Sequence, residues 1–61
     1  MDETRARAKI LLIEDDLSLQ KSLAFILEKE GFKVLCTQSG EEAIIISRKE
    51  KPDLMFAVPP S

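Results

Sequence analysis

Lys9-Ile-Leu-Leu-Ile-Glu-Asp-Asp16, KILLIEDD, decides how this chain is read. Four apolar residues, Ile10 to Ile13, run directly into three carboxylates, Glu14, Asp15 and Asp16. The run is too short to make a helix alone. Bounded by charge on both sides, it predicts a strand over Lys9 to Ile13 that is buried on both faces, as in a parallel sheet. The acids then stand at the carboxyl end of a buried segment, where like charges repel.

Downstream, Leu19, Leu23, Ile26, Leu27 and Glu30 follow helical spacing over Leu17 to Glu30. The first four form an apolar stripe, Glu30 closes it with charge, and Leu17 and Phe25 flank it. Asp16 or Ser18 caps the start, and Gly31 stops the helix. Phe32 to Thr37, FKVLCT, reads as a second strand with Val34 and Leu35 facing inward. Ser39 followed by Glu42 is a capping box, so a second helix starts at Gly40 or Glu41 and runs to about Glu50. Its basic end, Arg48, Lys49 and Lys51, suits the negative end of the helix dipole. Pro52 stops it, and Asp53 to Val58, DLMFAV, predicts a third strand before Pro59 and Pro60. The order β-α-β-α-β implies an α/β fold with right-handed crossovers between parallel strands.

The bulk numbers exclude several classes. With 61 residues the chain holds one domain at most. Such a domain buries only about 60% of the surface its unfolded chain exposes, so its stability is marginal. Cys36 is the single cysteine, which excludes an internal disulfide and suits a reducing cytoplasm. Its expected role is a small apolar filler or an exposed thiol. The chain has no His, which excludes imidazole catalysis and His-ligated zinc. No stretch approaches the ~20 apolar residues of a membrane span. A net charge of −2 gives no reason to expect nucleic-acid binding. Residues 1–8 read as a flexible, solvated tail, although Arg5, Arg7 and Lys9 also permit a basic arm. The folded unit is then 9–61.

In an open parallel sheet, ligands bind beyond the carboxyl ends of the strands, at the point where strand order reverses. Glu14 and Asp15 occupy that end of the first strand. A hard divalent cation relieves their repulsion, and Mg²⁺ needs only one or two carboxylates while it keeps several waters. Acids at a strand-to-helix junction also cap the helix and meet its positive end. The residues alone leave both readings open, with Asp16 the stronger candidate for a cap.

KILLIEDD, LSLQKSLAFILEKEGFKV, SGEEAI and KPDLMF, in that order and spacing, resemble the N-terminal half of a response-regulator receiver domain, over about Lys9 to Phe56. The resemblance implies a partial flavodoxin-like fold: a three-stranded parallel sheet in the order 2-1-3. It implies a role in two-component signal transduction, with a histidine kinase as a partner. It also favours Glu14 and Asp15 as an Mg²⁺ pair, Asp15 as the direct ligand and Glu14 partly through water. Receivers take a phosphoryl group onto an Asp at the end of the third strand. Here Val58 stands in that place, and Asp53 lies at the opposite end of the strand. PPS does not reproduce the family's Met-Pro turn, and the 61 residues carry no counterpart of the fourth and fifth strands. The expectation is therefore a truncated receiver-like unit, not an enzyme, with weak Mg²⁺ binding at best. A native terminus, a truncation and an altered frame after Phe56 all stay open.

Half a receiver leaves surface uncovered. The third strand becomes an apolar edge, and such edges recruit other strands. Burying even ~500 Å² of apolar surface returns roughly 12 kcal/mol before ordering costs. Homo-oligomerisation or pairing with another chain is expected. In the receiver pattern Ala43, Ile44 and Ser47 are buried, which turns Ile45 and Ile46 outward toward an interface. A rotated helix, or a partly strand-like AIIIS, would change that. Three functions follow as expectations: a signalling module working by protein contact, a receiver whose phosphotransfer site another chain completes, and a folding unit without activity of its own.

Overall fold

The computed structural model describes residues 7–59. Five elements alternate: β1 (Lys9–Ile13), α1 (Leu17–Lys29), β2 (Lys33–Thr37), α2 (Gly40–Glu50) and β3 (Leu54–Ala57). The sheet is parallel with β1 in the middle, in the order β2-β1-β3. This is the βαβαβ arrangement expected from the alternation of apolar runs. Most of the expected tail, residues 1–6, lies outside the described residues, and Arg7 and Ala8 belong to no element.

The core is built on β1. Leu11 and Leu12 are both 0% exposed, and Ile10 is buried with them. Successive strand residues point to opposite faces, so burial of three in a row requires cover on both sides. The helices supply it: both pack on β1 and β2. Neither helix packs on β3 among the described residues.

The α1 start is capped by Asp16, whose Oδ1 accepts from the Leu19 N–H at 3.2 Å. This settles the choice between Asp16 and Ser18. The stripe that meets the sheet differs from the expected one. Leu23 and Leu27 are half-buried as expected, but Leu19 and Ile26 are exposed. Gln20 and Ala24 take the inward positions instead, giving an i, i+3, i+4, i+7 line from Gln20 to Leu27. The reason is polar. Gln20 Nε2 donates to the Glu14 carbonyl at 3.0 Å and to the Thr37 carbonyl at 3.1 Å. A buried amide is admitted only when its hydrogen bonds are satisfied, and satisfying these rotates the helix.

Ser39 caps α2, its Oγ accepting from the Glu42 N–H at 3.0 Å. The other half of the capping box is missing. The Glu42 carboxylate accepts instead from the Thr37 hydroxyl, and the Ser39 N–H meets Thr37 Oγ1 at 3.4 Å. Ala43 and Ser47 lie inward as expected, but Ile44 and Ile46 exchange roles. Ile46 is half-buried and Ile44 is exposed, with Ile45 exposed as expected. The inward line is Ala43, Ile46, Ser47 and Glu50, again at helical spacing. Ile44, about 100° around the helix from Ala43, falls off that line.

Lys9 is a structural residue, not part of a free basic arm. Its backbone N–H donates to Asp53 Oδ2 at 2.7 Å, and its Nζ donates to the Glu50 carbonyl at 3.0 Å. A cation at the carboxyl end of α2 also complements the helix dipole. The ion pair of Lys9 with Glu50, at 3.4 Å, is partly exposed and adds little. Lys51 follows in a left-handed conformation, φ 49°, a region that costs a residue with a side chain about 1 kcal/mol or more.

Candidate functional site

The tip of β1 is the junction of three segments. The Glu14 N–H donates to the Thr37 carbonyl at 3.0 Å, which carries the β1–β2 pairing one step past the strand. Gln20 ties the Glu14 and Thr37 carbonyls from α1. On the other side, Ile13 pairs with Ala57, and the Val58 N–H donates to the Ile13 carbonyl at 3.1 Å. Val58 therefore lies beside Glu14, one register step further on. Because β1 is the middle strand and its neighbours are reached by successive crossovers, its tip is where strand order reverses.

The two sequence-predicted site residues share this tip but not one environment. Glu14 is 5% exposed, whereas Asp15 is exposed. One Glu14 oxygen, Oε2, accepts from the Asp16 N–H at 2.9 Å. The other, Oε1, is buried with no partner among the described residues. Leaving such an acceptor idle costs about 1–3 kcal/mol or more. Asp15 is held by its backbone, whose carbonyl accepts from Gln38 Nε2 at 3.1 Å, and its side chain is exposed. Asp16 is committed to capping α1. So the three acids divide into one buried carboxylate, one exposed carboxylate and one cap.

Among the described residues no three acidic, His or Cys side chains gather into a metal cluster. The apolar Val58, the residue after β3, lies beside Glu14. Asp53 is at the far end of β3, bonded to Lys9. Gln20 and Gln38 fix the backbone carbonyls of the acid pair, and Gln38 had no distinguishing signal in the sequence. A Gln within an otherwise apolar helical line was the available clue for Gln20.

Away from the tip, a groove of about 370 Å³ runs between β2 and α2, lined by Leu35, Cys36, Glu42, Ile45, Ile46, Lys49 and Glu50. Desolvation first, and the charge of Glu28 second, push the Cys36 thiol above its ordinary pKa of 9.0. That is the opposite of what activates a cysteine nucleophile. No helix among the described residues is long and apolar enough to cross a membrane.

Comparison with known proteins gives sequence relatives over most of this chain. The chain is 41% identical over 49 residues to the probable transcriptional regulator ycf27 of Porphyra purpurea, covering 80% of this chain and 20% of that protein. It is 40% identical over 47 residues to the alkaline phosphatase synthesis transcriptional regulatory protein PhoP of Bacillus subtilis, covering 77% and 20%. It is 35% identical over 49 residues to the protein PilH of Pseudomonas aeruginosa, covering 80% and 40%. The chain thus spans one fifth to two fifths of these relatives. No protein-family profile matches it, and no solved structure gives a significant match. The resemblance to the N-terminal half of a response-regulator receiver is borne out by these relatives over that stretch.

Proposed function

We infer that the chain is a receiver-like half of two-component signalling that carries an incomplete cation site and acts through protein contact. The observation that carries this reading is Glu14: a buried carboxylate at the tip of the central strand, with one oxygen that has no partner among the described residues. A divalent cation supplies what that oxygen lacks. Glu14 and Asp15 fit a hard ion in part, and Mg²⁺ is the best match because it accepts few protein oxygens and keeps its waters. Glu14, fixed by the Asp16 N–H, would anchor the site, and Asp15 would swing in from solvent. Where a receiver needs a third carboxylate, this chain offers Val58, so the bound ion is held weakly.

Val58 also removes the phosphoryl acceptor, and the chain does not act as a phosphotransfer enzyme by itself. A histidine kinase is then a docking partner rather than a donor, and the lone thiol of Cys36 suits a cytoplasmic setting. What the relatives regulate belongs to their whole length. The third strand, apolar and open on both faces, is the surface through which a second copy or another chain associates.

Incubation with Mg²⁺ and acetyl phosphate, followed by intact-mass measurement, tests the reading. Unmodified chain is expected. A phosphoryl adduct on Asp15 or Asp16 would overturn it and favour the alternative of a phosphotransfer site completed between chains.

A further inference from the structure

The chain has two glutamines, and both end on the backbone of the acid pair. Gln20 reaches from α1: its Nε2 donates to the Glu14 carbonyl at 3.0 Å and to the Thr37 carbonyl at 3.1 Å. Both partners are acceptors, so both amide hydrogens are spent. The Glu14 N–H donates to the same Thr37 carbonyl at 3.0 Å. Glu14, Thr37 and Gln20 thus close a ring of hydrogen bonds, and Gln20 is only 8% exposed. Gln38 reaches from the β2–α2 connection, and its Nε2 donates to the Asp15 carbonyl at 3.1 Å. This second bond is exposed.

Each acid brings two kinds of oxygen to the β1 tip, and the glutamines engage one kind. The carbonyls of Glu14 and Asp15 are bonded to amides on α1 and on the β2–α2 connection. The carboxylates are left: Glu14 Oε1 has no partner among the described residues, and Asp15 is exposed. The distinction matters between two hard cations. Ca²⁺ takes roughly six to eight oxygens, backbone carbonyls among them, in a flexible shell. Mg²⁺ demands near-octahedral geometry, accepts one or two carboxylates and keeps several waters. A tip with held carbonyls and a fixed backbone suits Mg²⁺ and leaves Ca²⁺ short of ligands.

We propose that Gln20 and Gln38 are positioning residues that set the cation site for Mg²⁺ against Ca²⁺, by holding the Glu14 and Asp15 carbonyls out of the ion's shell. This rests on the reading of Glu14 and Asp15 as a cation pair and adds the means of selection. Neither glutamine touches the ion; each acts through the backbone of one acid. Two effects of the glutamines have the same sign. A held carbonyl joins a larger shell only by giving up its hydrogen bond, and a rigid tip resists widening around the larger ion. Support of the fold alone is different, because it strengthens or weakens the binding of both ions alike.

Amide-shift titrations with Mg²⁺ and, separately, with Ca²⁺ test this on the 61-residue chain and on its Gln20→Met and Gln38→Ala variants. Gln20→Met keeps a side chain of similar length and removes both donors. Gln38→Ala changes an exposed side chain and leaves the core alone. Circular dichroism reports the fold of each. The readout is the ratio of the Ca²⁺ to the Mg²⁺ dissociation constant at the β1 tip. The unaltered chain is expected to bind Mg²⁺ at least as tightly as Ca²⁺. The ratio should fall about tenfold in Gln20→Met and about threefold in Gln38→Ala, the scale of the hydrogen bonds released. If Gln20→Met does not fold, Gln38→Ala decides alone. An unaltered chain that prefers Ca²⁺ overturns the proposal. So does a ratio that stays put in the folded variants, even where both affinities drop together; the cation pair then stands and the selection falls. Binding of neither ion at the β1 tip of the unaltered chain refutes the cation pair, and the selection with it.

Discussion

β1 and β3 are made of nearly the same material and live in opposite surroundings. ILLI in β1 is closed in by a strand on each edge and a helix on each face, and Leu11 and Leu12 reach 0% exposure. Among the described residues, LMFA in β3 has one strand beside it, no helix over it, and every residue exposed. Apolarity makes a segment worth burying; the neighbours decide whether it is buried. For the same reason chemistry gathers at one strand tip. The end of β1 receives backbone from β2, α1 and β3 at once, which buries Glu14 there.

The largest expected effect breaks that comparison at its centre. Leu11→Ala or Leu12→Ala should cost about 2–5 kcal/mol, enough to unfold a small domain of marginal stability. Met55→Ala should stay within roughly 0.5 kcal/mol, as surface changes do. Urea unfolding of the three variants, under conditions that keep the chain monomeric, checks the contrast. Equal losses at β1 and β3 would mean that β3 is as buried as β1.

Next in size is the clamp at the tip. Gln20→Ala leaves the Glu14 and Thr37 carbonyls without their side-chain donor and should cost about 1–3 kcal/mol. The Thr37 and Glu14 amides should lose hydrogen-exchange protection before those at the start of β1 do. Lys51→Gly acts in the other direction. A glycine carries no penalty at φ 49°, so the variant should gain up to about 1 kcal/mol, visible as a raised melting temperature.

The smallest effect is chemical. With the Cys36 pKa raised, its thiolate is scarcer than that of a free cysteine at any pH below the shifted value. Alkylation of Cys36 near pH 8 should therefore run slower than alkylation of a cysteine peptide. Glu28→Gln should recover part of the rate, because the Glu28 charge is the second cause of the shift. A rate equal to the free thiol's would contradict the desolvation at β2.

The sequence narrows the α1 cap to Asp16 or Ser18, and the central place of β1 comes from the family resemblance. The element order and the Ser39 cap were legible because each rests on a local signal: a short apolar run, a Ser before a periodic stretch, a proline after it. The inward lines of the helices were not. Leu19 and Ile26 had to give way to Gln20 and Ala24 because of two carbonyls that only the folded sheet brings together. Ile44 and Ile46 traded places because three consecutive isoleucines carry no periodic phase of their own. At the site, the sequence placed Glu14 and Asp15 at the tip and Val58 near them. It did not reveal that the pair would divide into one buried and one exposed carboxylate.

The most direct test of the account is an Mg²⁺ titration of the chain and of its Val58→Asp variant, followed through backbone amide shifts. The account predicts weak, saturable shifts confined to Glu14, Asp15 and Asp16 and the facing end of β3, and about tenfold or tighter binding once residue 58 supplies a carboxylate. Shifts absent from the β1 tip in both proteins, or binding unchanged by Val58→Asp, would contradict it.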